Sequence, residues 1–427
     1  MKILFVHNKY QQPGGEDVVF EQEYQLLKAA GHDPVMYCRS NWEADHYTGI
    51  RRLELASRTI WARDSHEEFA RRLRELKPDL VHVHNTFLMI SPSIFSVCIE
   101  AGIPVVLTLH NYRLYCPAAT FYRDGHVCEE CVQHGLWRGV AHGCYRESRA
   151  ATAVVSTMLA VHRWSRTWER GVNCFIALTE YARAKFVRCG LPAEKVFVKP
   201  NFVHPDPGRP PAGPGDYALF VGRLSPEKRV STMLQAWEEL KKLNIPLLIL
   251  GGGPQLSQLA EECSRRGLRD VSFRGQTEHE QTLAMMHNAR VLIFPSEWYE
   301  NFPVTIAESF ACGVPVICSR IGAMQEIVED GHTGLHFTPG DPKSLAEKVE
   351  WAWKHPHQLA TMGVEARREY EAKYTAATNY PLLMGIYERV LQGRRQVKTS
   401  PNAITAMPHL STPLDAQSNT VNQSWHG

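Results

Sequence analysis

The sequence has no apolar run of about eighteen residues, so no part of it is predicted to cross a membrane as a helix. A net charge of +2 gives no global argument for nucleic acid as a partner. The apolar start of MKILFVHNKY turns polar too soon for a signal peptide. The cysteine count, eleven, is odd and the residues are scattered, which indicates reduced thiols in a cytoplasmic protein. No internal repeat appears beyond an α/β pattern that occurs twice.

A chain of 427 residues is too long for one typical core and predicts two domains. In each half, short apolar runs alternate with helical patterns, which is typical of a doubly wound parallel sheet and an α/β fold. The predicted strands are Ile3–Val6, 34–38, 80–84, 104–109 and 174–178, then 218–221, 247–250, 271–273, 291–294 and 316–318. The predicted organisation is a first domain at 1–199, a Pro- and Gly-rich linker at 200–215, a second domain at 216–372, a C-terminal helix at 373–392 and a disordered tail at 393–427.

Two carboxylates, Glu300 and Glu308, lie eight positions apart after the predicted strand at 291–294. Pro303 suits the first turn of the next helix because it lacks an N–H that would be unpaired there. Unpaired N–H groups at a helix start bind anions. Acidic acceptors beside an anion site suit a ligand with both hydroxyls and phosphates. An ordinary amphipathic helix with two solvated glutamates is the alternative.

Glycines and histidines follow the predicted strands of the first domain. Gly14 and Gly15 come after the first strand and let backbone N–H groups approach a phosphate or sugar, although a plain tight turn also explains them. His84 and His110 follow later strands, at the sheet edge where such folds bind ligands. Each histidine is a candidate for binding a sugar hydroxyl or a satisfied structural residue.

A second loop carries positive charge after the strand at 218–221. Gly222 allows a close turn, Arg223 can make a bidentate contact to phosphate, and Lys228 adds a compact charge. Fixed cations there would stabilise a diphosphate leaving group. Ordinary surface charge is the alternative.

A cluster of cysteines lies in a polar, loop-like insertion at about 112–145. The two-residue spacing within Cys128-Glu-Glu-Cys131 lets both sulfurs reach one metal ion, and the flanking cysteines could complete a tetrahedral site. We expect structural zinc first, with an iron–sulfur centre as the second choice. Free thiols or a redox pair remain open. The predicted ligands are Cys116, Cys128, Cys131 and Cys144.

Arginines are frequent at 51–77 and again at 146–170, where Trp164 and Trp168 lie among them. Acidic residues are interspersed in the first stretch, which favours a solvated helical face. The alternative is a basic surface that contacts anionic lipid at the inner membrane.

Several motifs resemble one enzyme family. Glu300-x7-Glu308, the segment YALFVGRLSPEKRV at 217–230 and TLHNYRLYCP at 108–117 are similar to motifs of the retaining, nucleotide-sugar-dependent glycosyltransferases of family four. That family has the GT-B fold, in which two Rossmann-like domains face each other across a cleft. The resemblance covers about residues 1–392, and a bacterial subgroup has a similar Cys-rich insertion. Asn301 stands where glycine is common in the family.

The resemblance implies a role for each candidate. It places Glu300, Arg223, Lys228 and His110 in catalysis, and it places the donor against Gly14, Gly15, Gly222, Gly275, Asn301, Phe302 and Glu308 as well, with Glu308 on the ribose hydroxyls and His84 on the acceptor side.

The implied reaction is transfer of a sugar from a UDP-sugar or GDP-sugar to a glycan or lipid-linked acceptor, in cell-surface polysaccharide synthesis. No Asp-x-Asp occurs, so no catalytic metal is expected. The family mechanism is front-face transfer in which the leaving phosphate takes the acceptor proton. The rivals are a nucleotide-sugar epimerase or phosphorylase of this fold, and a non-catalytic GT-B protein in which the cysteines form a docking module.

Overall fold

The computed structural model describes residues 1–11, 14–208 and 215–399, with side chains up to residue 393. Residues 209–214 of the predicted linker and 400–427 of the predicted tail lie outside the described residues, as do Gln12 and Pro13 of the glycine loop. In the described part, no helix combines the length and the apolar character needed to cross a bilayer.

The first domain contains a parallel sheet with strand order β2-β1-β3-β4-β7-β8, and a small antiparallel hairpin, β5-β6. The strands are β1 (Lys2–Lys9), β2 (Asp33–Ser40), β3 (Leu80–Val83), β4 (Val105–Thr108), β5 (Tyr122–Arg123), β6 (His126–Val127), β7 (Cys174–Ala177) and β8 (Val196–Val198). β3, β4 and β7 are buried at every position. Continuous apolar runs are typical of parallel strands that helices cover on both faces.

The helices around this sheet are α1 (Gly15–Ala29), α2 (Arg51–Ile60), α3 (Arg63–Leu76), α4 (Ile94–Ala101), α5 (Glu130–Gln133), α6 (Trp137–His142), α7 (Arg149–Trp164), α8 (Thr167–Gly171) and α9 (Glu180–Arg188). The helical stretch predicted at 51–77 is therefore two helices, because the chain leaves helical geometry at Trp61 and Ala62. The insertion, predicted to be loop-like, contains the hairpin and two short helices.

The second domain repeats the plan with strand order β11-β10-β9-β12-β13-β14, again parallel. Its strands are β9 (Tyr217–Val221), β10 (Leu247–Leu250), β11 (Val271–Gly275), β12 (Ala289–Phe294), β13 (Val316–Ser319) and β14 (Gly334–Phe337). Its helices are α10 (Val230–Glu239), α11 (Leu256–Arg265), α12 (His279–His287), α13 (Val304–Ala311), α14 (Met324–Ile327), α15 (Pro342–Lys354) and α16 (Pro356–Lys373), followed by α17 (Ala376–Thr399). The prediction of two Rossmann-like sheets is confirmed.

The last helix, α17, contacts the first domain. Tyr387 Oη lies 2.8 Å from His82 Nδ1, and Asn379 Oδ1 accepts a hydrogen bond from Lys199 Nζ at 3.0 Å. The helix continues beyond its predicted end at 392, and Pro381 lies inside it. α17 therefore links the second domain to the base of the first sheet.

Candidate functional site

Glu300 lies in the loop between β12 and α13 and is buried, with 6 % of its surface exposed. Its Oε1 atom accepts hydrogen bonds from Ser296 Oγ at 3.0 Å and Trp298 Nε1 at 2.7 Å, and it pairs with Lys228 Nζ at 2.5 Å. A buried carboxylate requires such partners, because an unpaired charge away from water is costly. The structure therefore joins two of the predicted catalytic residues directly.

The segment after β9 positions Lys228. A 3₁₀ helix covers Pro226–Lys228, and the next residue, Arg229, donates to Glu297 Oε2 at 2.7 Å. This second ion pair fixes the Lys228 loop to the Glu300 loop. Arg223 is exposed, and its guanidinium has no hydrogen-bond partner among the described residues. Arg223 is thus available to an anion, whereas Lys228 already has a carboxylate partner.

Glycines line the ends of three neighbouring strands, β9, β10 and β11. Gly251 adopts a φ of +132°, and a Cβ there would lie 1.9 Å from Gly222 O. Gly251 N also donates to Gly275 O at 2.7 Å. Only glycine permits this close approach of loops. Gly222 and Gly275 thus belong to one packed edge of the second sheet.

Asn301 and Phe302 are both buried at the start of α13. Asn301 O accepts from Thr179 Oγ1 of the first domain at 3.2 Å, and Asn301 Oδ1 is buried without a hydrogen-bond partner among the described residues. Phe302 packs edge-on against Tyr374, with ring centroids 5.4 Å apart. The helix begins at Val304, so Pro303 is the residue before it rather than in its first turn. The Phe302 side chain belongs to the core.

Glu308 lies further along α13 with its side chain 12 % exposed. Burial raises the pKa of its carboxyl group, and His279 at 3.7 Å acts in the opposite direction. Glu308 is therefore a largely buried carboxyl group with His279 as its neighbour.

The glycine loop of the first domain meets α13 across the cleft. Gly14 N donates to Asp17 Oδ2 at 2.8 Å, and Asp17 Oδ1 also lies 2.8 Å from His7 Nε2. A Cβ on Gly15 would lie 3.7 Å from Val304 Cγ2. The starts of two helices, α1 and α13, therefore converge, and the first turn of a helix has N–H groups that the helix itself does not satisfy.

His110 follows β4 and its Nε2 atom lies 2.9 Å from His84 Nδ1. Burial lowers the pKa of His110 to about 3, with smaller contributions from His7 and Lys199. Burial likewise lowers the pKa of His84 well below its usual range. Both rings are therefore neutral at physiological pH. The two predicted histidines, His84 and His110, are therefore in direct contact.

Glu16 is a candidate functional residue that was not predicted from the sequence. Its two carboxyl oxygens accept hydrogen bonds from Asn85 Nδ2 at 3.0 Å and from Asn111 Nδ2 at 3.2 Å. Burial raises its pKa to about 8, and the charge of Asp17 adds to the effect. The position directly after Gly14-Gly15 was the available signal.

The four predicted metal ligands lie near one another within the insertion. A Cβ on Gly139 would lie 3.2 Å from Cys131 Sγ and 3.1 Å from Pro117 Cγ, next to Cys116. Cys144 N donates to Gly139 O. Among the described residues, however, no three of the sulfurs of Cys116, Cys128, Cys131 and Cys144 lie within 4.8 Å of one another. The cysteines are neighbours without forming a closed tetrahedral set.

The insertion also contacts the second domain. Tyr122 Oη of the hairpin donates to Pro226 O at 3.3 Å, and a Cβ on Gly125 would lie 3.8 Å from Arg229 Nη1. Glu129, between two of the cysteines, pairs with Lys185 Nζ at 2.6 Å. The hairpin therefore packs beside the loop that carries Lys228.

Two family models match the chain. The model described as Glycosyltransferase Family 4 matches residues 13–207, and that described as Glycosyl transferases group 1 matches residues 209–369.

Two curated relatives align with different shares of the chain. The D-rhamnosyltransferase WbpZ of Pseudomonas aeruginosa is 32 % identical over 162 residues, and this match spans 38 % of the chain and 42 % of the relative. The glycogen synthase of Mycobacterium tuberculosis is 25 % identical over 438 aligned positions, which span 93 % of the chain and 96 % of the relative. The chain thus aligns with less than half of the first relative and nearly all of the second.

Solved structures share the fold. HepE from Anabaena, in complex with UDP, superposes with a TM-score of 0.62 at 17 % identity, covering 93 % of this chain and all of that one. Sucrose-phosphate synthase from Thermosynechococcus elongatus gives a TM-score of 0.66 at 20 % identity, covering 93 % and 99 %.

Proposed function

Because the chain belongs to the glycosyltransferases of family four and has the GT-B fold, we propose that it moves a sugar from a nucleotide diphosphate sugar to a glycan or lipid-linked acceptor with retention of configuration. The observation that carries this proposal is the Lys228–Glu300 pair beside the start of α13. It combines a cation for the diphosphate, a carboxylate for sugar hydroxyls and a helix start for the distal phosphate.

Leaving-group stabilisation falls to Arg223, Lys228 and the N–H groups at the start of α13. Their positive charge favours the transition state, in which negative charge develops on the diphosphate. No Asp-x-Asp is available to chelate a metal there. Following the family mechanism, the leaving phosphate takes the acceptor proton, so no general base is assigned. The donor is a UDP-sugar or GDP-sugar, and the UDP complex of HepE favours UDP as the first donor class to test.

The acceptor side is proposed at a cavity in the first domain. The cavity is lined by His84, His110 and Asn111 and by apolar residues that include Phe87 and Trp168. Polysaccharide synthesis fits the names of the relatives, among them the O-antigen chain mannosyltransferase C of Escherichia coli.

The inner face of the cytoplasmic membrane is the proposed location. Ile50 and Leu53 at the start of α2 are 83 % and 72 % exposed, next to Arg51 and Arg52, and Trp164 at the end of α7 is 89 % exposed. Apolar side chains among arginines suit an anionic lipid surface. Sedimentation with anionic vesicles, compared with neutral ones, tests this, and the variant Ile50→Asp/Leu53→Asp should bind neither.

The cysteines remain a predicted structural metal site, zinc before an iron–sulfur centre. Thiolates at Cys116, Cys128, Cys131 and Cys144 suit both. Binding would require the sulfurs to draw closer than they lie in the structure. Elemental analysis of the purified protein decides, because absence of stoichiometric zinc and iron would end the hypothesis.

A donor screen that measures released UDP or GDP tests the main proposal. Release that depends on an added acceptor supports transfer. Turnover of the donor without any acceptor would indicate an epimerase, and a requirement for free phosphate would indicate a phosphorylase. A non-catalytic protein would turn over no donor. The variants Glu300→Ala and Arg223→Ala should lose most activity, and unchanged turnover in both would overturn the site assignment.

A further inference from the structure

A chain of buried polar groups runs from the interior of the first domain to His110. Glu23 of α1 is fully buried, and its Oε1 atom accepts from Lys199 Nζ at 2.6 Å. Its other oxygen, Oε2, lies 3.5 Å from His84 Nε2. His84 Nδ1 in turn lies 2.9 Å from His110 Nε2.

Glu23 and His84 face each other through two atoms that make no hydrogen bond elsewhere among the described residues. Glu23 Oε2 and His84 Nε2 are buried, and neither has a hydrogen-bond partner among the described residues. Glu23 and Lys199 neutralise each other, and burial keeps the pKa of His84 and of neighbouring His82 well below the usual range. His84 therefore has one ring hydrogen, and the question is which nitrogen carries it.

Electrostatics decides between the two tautomers. A hydrogen on Nδ1 would leave the lone pair of Nε2 opposite a carboxylate oxygen in a medium of low dielectric constant, which is repulsive. A hydrogen on Nε2 puts positive charge 3.5 Å or less from that oxygen, which is attractive, and leaves Nδ1 as the acceptor. His110 Nε2 must then be the donor to His84 Nδ1.

We infer that the Glu23 carboxylate, acting through the His84 ring, holds His110 in the tautomer with its hydrogen on Nε2, so that Nδ1 accepts a hydrogen bond from a hydroxyl of the transferred sugar. Glu23 and His84 are positioning residues in this scheme. Among the described residues, the hydrogen bond shown for the His110 ring is the one between Nε2 and His84, and the residue is only half-buried, which leaves Nδ1 available to a ligand. The inference rests on the proposed function only for the identity of the ligand.

Neighbouring groups do not replace this relay. Both ring nitrogens of His82 are engaged at 2.8 Å, by Tyr387 Oη and Thr108 Oγ1. Ligand atoms of Glu23, His82 and His84 lie within 4.8 Å of one another, but a cation bound there would compete with Lys199 for Glu23. Hydrogen bonding explains the cluster better than metal binding.

The ring nitrogens can be read directly by NMR of ¹⁵N-histidine-labelled full-length protein without any donor. Signals of the two rings are assigned by their loss in His110→Gln and His84→Gln. We expect a protonated Nε2 and an unprotonated Nδ1 in both rings. A protonated Nδ1 in either ring overturns the inference, whether or not the protein transfers sugar. A failure of transfer with the expected spectrum would instead count against the proposed function.

A Glu23→Gln variant should reverse the direction of the hydrogen bond between His84 and His110. Its carbonyl oxygen would pair with Lys199 and its amide would donate to His84 Nε2, so that both histidines take their hydrogen on Nδ1. We expect kcat/KM for the donor to fall about tenfold, as for loss of one hydrogen bond to substrate. The control is Glu21→Gln, an exposed position on the same helix, which should change neither spectrum nor rate. Because Glu23→Gln removes the negative charge that balances the buried Lys199 ammonium, this variant could fail to fold, and the wild-type spectrum is the deciding measurement. A folded Glu23→Gln protein with the wild-type tautomer would contradict the inference.

Discussion

Lys228 Nζ lies 2.5 Å from Glu300 Oε1, so the cation expected to bind the diphosphate has a carboxylate partner within the protein. Glu300 keeps two uncharged donors, Ser296 and Trp298, if the lysine moves to a phosphate. We therefore expect the diphosphate of a donor to compete with Glu300 for Lys228.

Separating the two partners should affect product binding in opposite ways. We expect Lys228→Gln to weaken UDP binding about tenfold, because a charge-assisted contact to phosphate is lost. Glu300→Gln retains the Ser296 and Trp298 bonds and frees Lys228, so UDP should bind at least as tightly while turnover falls. Isothermal titration calorimetry and steady-state rates measure the two effects. The control is Lys241→Gln, an exposed ion-pair position. Equal loss of UDP affinity in both site variants would contradict the competition.

Asp17 holds the glycine loop at the start of α1 in place, because its carboxylate bonds both Gly14 N and the His7 ring. Asp17→Ala should destabilise the ordered conformation of the Gly14-Gly15 loop by about 1 kcal/mol, as the loss of a helix cap does. We therefore expect donor KM to rise about fivefold with little change in melting temperature. Glu21→Ala on the same helix is the matched control. A KM equal to that of the control would show that the loop orders without Asp17.

The strands with continuous apolar runs could be predicted from sequence, because parallel strands buried on both faces need such residues. β8 and β14 were missed. The first spans only Val196–Val198, and the second, Gly334–Phe337, is interrupted by His336. Local pattern cannot detect a strand that is defined mainly by its neighbour in the sheet.

The residue types of the donor site could also be predicted, but their pairing could not. Lys228 and Glu300 meet because they follow β9 and β12, which are adjacent in the sheet although distant in sequence. Glu23 and Lys199 look like ordinary helix and linker charges, and only the fold reveals that both are fully buried.

Glu326 of the second domain caps a helix of the first. Its carboxylate accepts from the backbone N–H groups of Glu180 at 2.9 Å and Tyr181 at 2.7 Å. Glu326→Gln should weaken this contact between the two domains by about 1 kcal/mol, since it removes a charge at a helix N-terminus. We expect a larger radius of gyration by small-angle X-ray scattering and a higher donor KM. Glu329→Gln, nearby and exposed, is the control. Identical scattering from both variants would show that Glu326 does not hold the two domains together.

The stability of the protein should be greatest near pH 6.5, because two sets of buried groups act in opposite directions. Burial lowers the pKa values of His82, His84 and His110. Below about pH 6.5 the unfolded chain therefore binds more protons than the folded protein, and stability decreases as the pH is lowered. Burial raises the pKa of Glu16 from 4.5 to about 8, so its contribution is lost as pH rises over that interval. Each group changes the free energy of unfolding by about 1.4 kcal/mol per pH unit. Three histidines therefore outweigh Glu16 below pH 6.5, and Glu16 dominates above it. Urea unfolding at pH 5.5, 6.5 and 7.5 measures the profile. Glu16→Gln should flatten the alkaline side and steepen the acid side, because Glu16 opposes the histidines between pH 4.5 and 6.5. Stability that rises steadily from pH 6.5 to 8 in the unsubstituted protein would refute the assignment.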